Sequence, residues 1–137
     1  MAKKKIKRKT IKRKLDDAFS KYIRWRAADS DGMVKCVTCN KIAHVTEMQN
    51  GHFQSRKHHS IRWHKYGNCN VQCYACNISN KGEQWLHGRY IDKHYGEGTA
   101  EQLYERSKEK RKFTIDELIQ LEKYYKQKVN EYTNKHS

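Results

Sequence analysis

Cys36-Val37-Thr38-Cys39 and Cys73-Tyr74-Ala75-Cys76 are the two stretches on which the fold of this chain turns. Each sets two thiols on one tight turn, so both sulfurs can reach a single ion, and two such turns complete a tetrahedron. Four thiolates leave no open coordination position, so the ion read here is a structural zinc. Two matched C-x-x-C pairs outweigh the alternative of ordinary buried thiols. Iron and a redox dithiol are the other uses of such pairs. Cys69 stands outside both pairs and reads as a small packing residue that could compete as a ligand.

A metal staple suits this size and composition. With 137 residues, 36% of them hydrophobic and 33% charged, the chain has room for one modest domain that burial alone would leave marginal. The pattern predicts an α+β fold, a small zinc-stapled core with short strands near 42–45 and 50–54, flanked by helices. Ahead of the first knuckle, Leu15, Ala18, Phe19, Tyr22 and Ile23 recur at helical spacing until the turn cluster Asp29–Gly32. Behind the second, Trp85, Leu86, Tyr90, Ile91 and Tyr95 form another stripe, and Thr99 is placed to cap a further helix. Thr114 and Glu117 form a capping box for a last helix whose Leu118, Leu121, Tyr125 and Tyr132 share one face. The chain thus divides into a basic disordered arm over 1–14, a core domain over 15–95 and a C-terminal helical extension over 96–137. The last helix either packs on the core or pairs two copies as a homodimer.

Charge points to the partner. Thirty Lys and Arg against 15 Asp and Glu give a net charge of +15, which suits a polyanion, and DNA leads. No stretch approaches the apolar length of a membrane span, and the basic runs lack the wide apolar face of a membrane-surface helix. The basic start has no apolar segment behind it, so it does not read as a secretory signal, and the cytosol is the expected compartment. Cysteines in that reducing setting are better explained by metal than by disulfides. In the arm, Lys3, Lys4, Lys5, Lys7, Arg8, Lys9, Lys12, Arg13 and Lys14 occur with no acid among them, and self-repulsion predicts an extended segment that contacts phosphate.

Between the knuckles lie Asn50-Gly-His52-Phe-Gln-Ser-Arg56-Lys57-His58-His59, then Arg62 and Asn68, with Asn77 directly after the last paired cysteine. A His closing one strand, an Asn five residues before the second C-x-x-C and a His or Asn just beyond it resemble the HNH, or His-Me finger, nucleases, here in an H-N-N form. That likeness implies a ββα-metal core. Leu15-Asp-Asp-Ala-Phe-Ser-Lys-Tyr-Ile-Arg24, Gly51-His-Phe-Gln-Ser-Arg56, Asn68-Cys-Asn-Val-Gln-Cys73 and Cys76-Asn77 are similar together to the phage NinG (Rap) recombination proteins. This narrower likeness spans about residues 15 to 104. It implies a nuclease acting on branched recombination intermediates such as Holliday junctions and D-loops.

The same residues make chemical sense unaided. Phosphodiester hydrolysis needs a base for water, a divalent cation on the scissile phosphate and stabilisation of the leaving 3′ oxygen. His52, titrating near neutrality, fits the base. Asn68 can hold the turn that orients it through amide hydrogen bonds. Asn77 offers a hard amide oxygen to Mg²⁺ or Mn²⁺. Arg56 and Arg62 are placed to grip phosphate, with Lys57 and Lys81 as looser point charges. Many HNH sites carry Asp directly before the first His, where this chain has Gly51. The likeness to the NinG proteins implies a His at position 58, which makes His58 the candidate second ligand of the catalytic metal, with His59 and His64 as alternatives, and a His ligand shifts preference from Mg²⁺ toward Mn²⁺ or another transition metal. The competing function is a non-catalytic zinc ribbon that binds DNA or RNA through the arm and the Arg-bearing loop.

Overall fold

The apolar stripe of the first helix begins earlier than the surrounding charge suggests. In the computed structural model, which describes residues 6–135, helix α1 spans Arg8–Arg26 and buries Ile11, Leu15, Ala18, Phe19, Tyr22 and Ile23. Ile11 lies one turn before Leu15 and is only 2% exposed, so the stripe reaches back into the basic run. The expectation of a disordered arm over 1–14 is corrected from Arg8 onward. Burying Ile11 orders the helix, while the exposed Lys9, Arg13 and Lys14 turn their charges to solvent. Lys3, Lys4 and Lys5 lie outside the described residues.

The last helix belongs to the same core. Thr114 and Glu117 close the capping box in both directions at 3.0 Å, opening α5 over Ile115–Asn134. Leu118 and Tyr125 join the buried residues of α1, with Trp63 and Cys69, in one cluster, and Leu121, Val129 and Tyr132 pack on its edge. The Tyr125 hydroxyl donates to the Trp63 carbonyl at 3.1 Å. The boundaries read at 14/15 and 95/96 therefore do not divide the core, and the face suggested for pairing two copies is packed at home.

A second cluster sits under the knuckles. Strands β1 (Met33–Lys35) and β2 (Ile42–His44) pair antiparallel, with Lys35 opposite Ile42, and their connection is the first knuckle. Strand β3 (Gln49–His52) pairs antiparallel with β4 (Cys69–Gln72), and His52 faces Cys69 across the ladder. Val34, Val45, Met48 and Val71 pack there with Cys36, Cys73 and Cys76, and Trp25 lies against them. A long loop joins β3 to β4 and contains a single helical turn, α2 (His59–Arg62). After the second knuckle the chain makes one π-helical turn, Ala75–Ser79, with Asn80 N–H donating to Ala75 O at 2.8 Å. The order is strand, strand, helical turn, but the third element is one π turn in place of a full helix. Such turns recur at functional sites.

Helix α3 (Gln84–Tyr95) buries His87 and Ile91 and leaves Trp85, Leu86 and Tyr95 exposed, so of the stripe read from Trp85 only Ile91 is fully buried and Tyr90 partly so. The reason is polar. Asn70 on β4 donates to His87 Nε2 at 3.0 Å and accepts from the Tyr95 hydroxyl at 3.2 Å, which turns α3 onto that edge. Helix α4 (Thr99–Ser107) is preceded by Gly98 at φ 92°, and Thr99 donates its hydroxyl to Gly96 O, so Thr99 does not cap it. Among the described residues no helix is long and apolar enough to cross a membrane.

Candidate functional site

The first knuckle folds because Asn40 accepts a left-handed conformation, φ 67°, which Asn tolerates better than most residues. That turn lets Asn40 N–H reach Cys36 O at 2.9 Å while Cys36 N–H reaches Lys41 O at 2.8 Å. In the second knuckle Asn77 N–H closes on Cys73 O at 2.9 Å. The ligand atoms of Cys36, Cys39, Cys73 and Cys76 all lie within 4.8 Å of one another, and the Cys39 and Cys73 sulfurs are 3.6 Å apart. Four sulfurs at about 2.3 Å from one ion would stand about 3.8 Å apart, so the cluster can hold a metal as it is. Cys36, Cys73 and Cys76 are buried and Cys39 is exposed. Burial would raise the Cys36 thiol, but bonds from the Thr38 hydroxyl and the backbone of Cys73, Thr38 and Cys39 bring it down to about 6. Burial pushes Cys76 up to about 12, the cost a cation would relieve. Cys69 is not in the cluster. It is fully buried in the α1–α5 core, and burial raises its thiol strongly.

His52, Asn50 and Asn77 meet in an open cleft of about 540 Å³. His52 ends β3, and its Nε2 lies 3.0 Å from the Arg62 carbonyl. A carbonyl only accepts, so Nε2 carries the proton and Nδ1 keeps the basic lone pair. Burial drives the imidazole down to about 4, aided by Arg56, against the raising effect of that carbonyl. His52 is therefore neutral from about pH 5 upward, a weaker base than the near-neutral titration read from its type.

Asn68 is wholly buried and grips the loop that supplies this carbonyl. Its Oδ1 accepts from Gln54 N–H at 2.8 Å, and its Nδ2 donates to Gln54 O at 3.2 Å and Ile61 O at 3.3 Å. Asn77 donates to Gln49 Oε1 at 2.7 Å, which leaves its oxygen for another partner. Asn50 Oδ1 is a buried acceptor with no protein partner, the kind of atom a cation or ordered water satisfies.

Sequence reasoning missed the third wall. Asp16, Ser20 and Arg24 stand at four-residue intervals on α1 and line the same cleft. That spacing was visible as a polar stripe beside the apolar one. Asp16 binds Arg62 through Nη2 at 2.5 Å and Nε at 3.1 Å, takes the Trp63 indole N–H at 2.9 Å, and has Arg56 at 3.5 Å. Arg62, expected to grip phosphate, is thus largely committed to Asp16, while Arg56 remains mostly exposed. Asp16 is also the carboxylate in this cleft that the residue before His52 cannot be. A Cβ on Gly51 would sit 1.9 Å from Gln72 Oε1, and Gln72 is locked by its bond to Gly82 O at 2.9 Å.

His58 precedes α2 and is not among the residues lining the cleft. His59 lies edge-on to Trp63 and His64 to Tyr66, both elsewhere. The oxygen donors Asp16, Asn50 and Asn77 suit a hard divalent cation, with Asp16 shared with its arginines. Arg8, Lys9, Lys12, Arg13, Arg56 and Arg62 line one groove with Asp16, which joins the cleft through Asp16 and Arg56. Lys7, Lys57 and Lys81 are exposed apart from it, and Lys14 borders α5.

The molecule is an α+β protein with a four-cysteine cluster able to hold a metal, set beside a His–Asn–Asn cleft. The chain belongs to the Bacteriophage Lambda NinG protein family, whose pattern matches residues 1–135. The match takes in the basic start and the last helix, both outside the motifs that first suggested the likeness. No curated protein and no solved structure matches the chain.

Proposed function

We propose that this NinG family member serves phage recombination as a metal-dependent HNH endonuclease on branched DNA, with zinc in the four-cysteine cluster. The observation that carries the reading is the cleft itself, where a neutral histidine with a fixed tautomer shares walls with Asn77 and Asp16. His52 Nδ1 accepts a proton from a water that attacks phosphorus. The P–O3′ bond breaks and the departing 3′ oxygen takes its proton from solvent. Asn77, Asn50 and Asp16 would hold Mg²⁺ or Mn²⁺, which supplies charge neutralisation at the scissile phosphate. Arg56 and the cations of α1 hold the backbone in register. Zinc, closed by four sulfurs, would tie the β1–β2 connection to the end of β4 and the π turn and would take no part in the chemistry.

The second reading is a zinc-stapled DNA- or RNA-binding module without catalysis. It is favoured by the saturation of Asp16 with arginine and indole bonds. A panel of linear, forked, D-loop and four-way DNA, incubated with wild type and Mg²⁺ or Mn²⁺, separates the two. Nicking of the branched members supports the nuclease, and tight binding without any product supports the module.

A further inference from the structure

On the other side of the first knuckle lies a larger groove, about 890 Å³, that shares no lining residue with the His52 cleft. One wall is the knuckle itself, from Lys35 to Asn40, and the other is the outer face of α3. Lys35, Arg89 and Lys93 line it, and no carboxylate does. Trp85 is 68% exposed, with the Arg89 guanidinium 4.8 Å above its ring. One turn on, the rings of half-buried Tyr90 and exposed His94 lie side by side with centres 4.2 Å apart, tilted by 32°. An indole this exposed on a helix whose packing face is His87 and Ile91 contributes nothing to the core.

We infer that this groove binds an unpaired DNA strand, with Trp85 and the Tyr90–His94 pair as stacking platforms and Lys35, Arg89 and Lys93 holding its phosphates. Cations without acids select a polyanion. Flat exposed rings between those cations select a polyanion that offers the faces of its bases, which a duplex hides and a single strand presents. A protein partner docking on apolar surface would gain nothing from three uncompensated cations. The inference rests on the reading that the substrate is DNA. It gives a branched molecule two contacts, duplex along the α1 cations and an unpaired strand on α3.

The test is fluorescence anisotropy of labelled oligothymidylate and of a duplex of equal length, using the full zinc-loaded chain without a catalytic divalent metal. Trp85→Ala is expected to weaken oligothymidylate binding about tenfold and duplex binding less than about twofold, and Trp85→Phe to restore most of the loss. Arg89→Ala with Lys93→Ala should lower the salt dependence for the single strand alone. Equal loss on both ligands, no loss in Trp85→Ala, or failure of wild type to bind oligothymidylate would each overturn the assignment. The last outcome would return the groove to a protein partner. Because the readout is binding, an absence of cleavage bears on the nuclease reading and leaves this one standing.

Discussion

Replacing Asn68 with Ala removes the residue that ties the long β3–β4 loop to β4. Four hydrogen bonds vanish, to Gln54 N–H, Gln54 O, Ile61 O and the Cys69 sulfur, at a position that is 0% exposed. The gravest loss is at the part-buried Gln54 N–H, which has Asn68 Oδ1 as its acceptor, and an orphaned donor held away from water costs about 1–3 kcal/mol. Ile61 O still accepts from His64 N–H, so it is less affected. With the void left by the amide, the expected destabilisation is about 3 kcal/mol, a large share of the total for a domain this small. Asn68→Asp keeps the acceptor for Gln54 but turns a second oxygen toward two carbonyls, and a comparable loss is expected. Urea unfolding at saturating zinc measures both. The reasoning also requires that His52 lose its fixed tautomer as the Arg62 carbonyl drifts, so cleavage should fall further than DNA binding. A loss below about 1 kcal/mol in Asn68→Ala, with the loop intact, would refute the anchoring role.

Other parts of the fold carry four further expected outcomes. Cys73→Ser, or chelation, should unfold the β-strand half of the molecule, because the ion that couples the two knuckles is lost or held by one ligand fewer; a folded, zinc-free variant by circular dichroism would contradict this. His52 and His87 are both held near 4 by burial, so as pH falls from 6.5 to 4 the unfolded state takes up protons that the folded state cannot. Stability is therefore full above pH 6.5 and declines by on the order of 3 kcal/mol per histidine through that window, and His87→Gln should flatten part of the decline in pH-dependent urea unfolding. Lys9→Ala with Arg13→Ala, both exposed on α1, should lower the logarithmic salt slope of duplex binding by about 2 without altering the melting temperature. Deleting residues 2–14 should cost stability as well, since Ile11 leaves the core with them.

What was legible in the sequence was local. The knuckles, the capping box at Thr114 and the placement of Asn77 one residue beyond Cys76 depend on neighbours a few positions apart, and the structure brings each into place. What was hidden depends on partners far along the chain. Asp16 reaches Arg62 and Trp63, 46 and 47 positions along the chain, and no spacing rule joins them. Ile11, like Ile6 before it, is an apolar residue set among cations, and it is buried against α5 more than a hundred positions away. Trp85 carries the largest apolar side chain on α3, yet a polar bond from Asn70 to His87 sets which face turns inward. Gly51, which read as a missing ligand, is a position where Gln72 leaves no room for a side chain.

His52 is proposed to act as the base of the nuclease. Its most direct test is single-turnover cleavage of the preferred branched DNA by wild type and His52→Ala, with DNA affinity measured for both. The variant is expected to bind as wild type does and to lose at least about a hundredfold in rate, within the range of a lost general base. Cleavage at the wild-type rate by His52→Ala would contradict it.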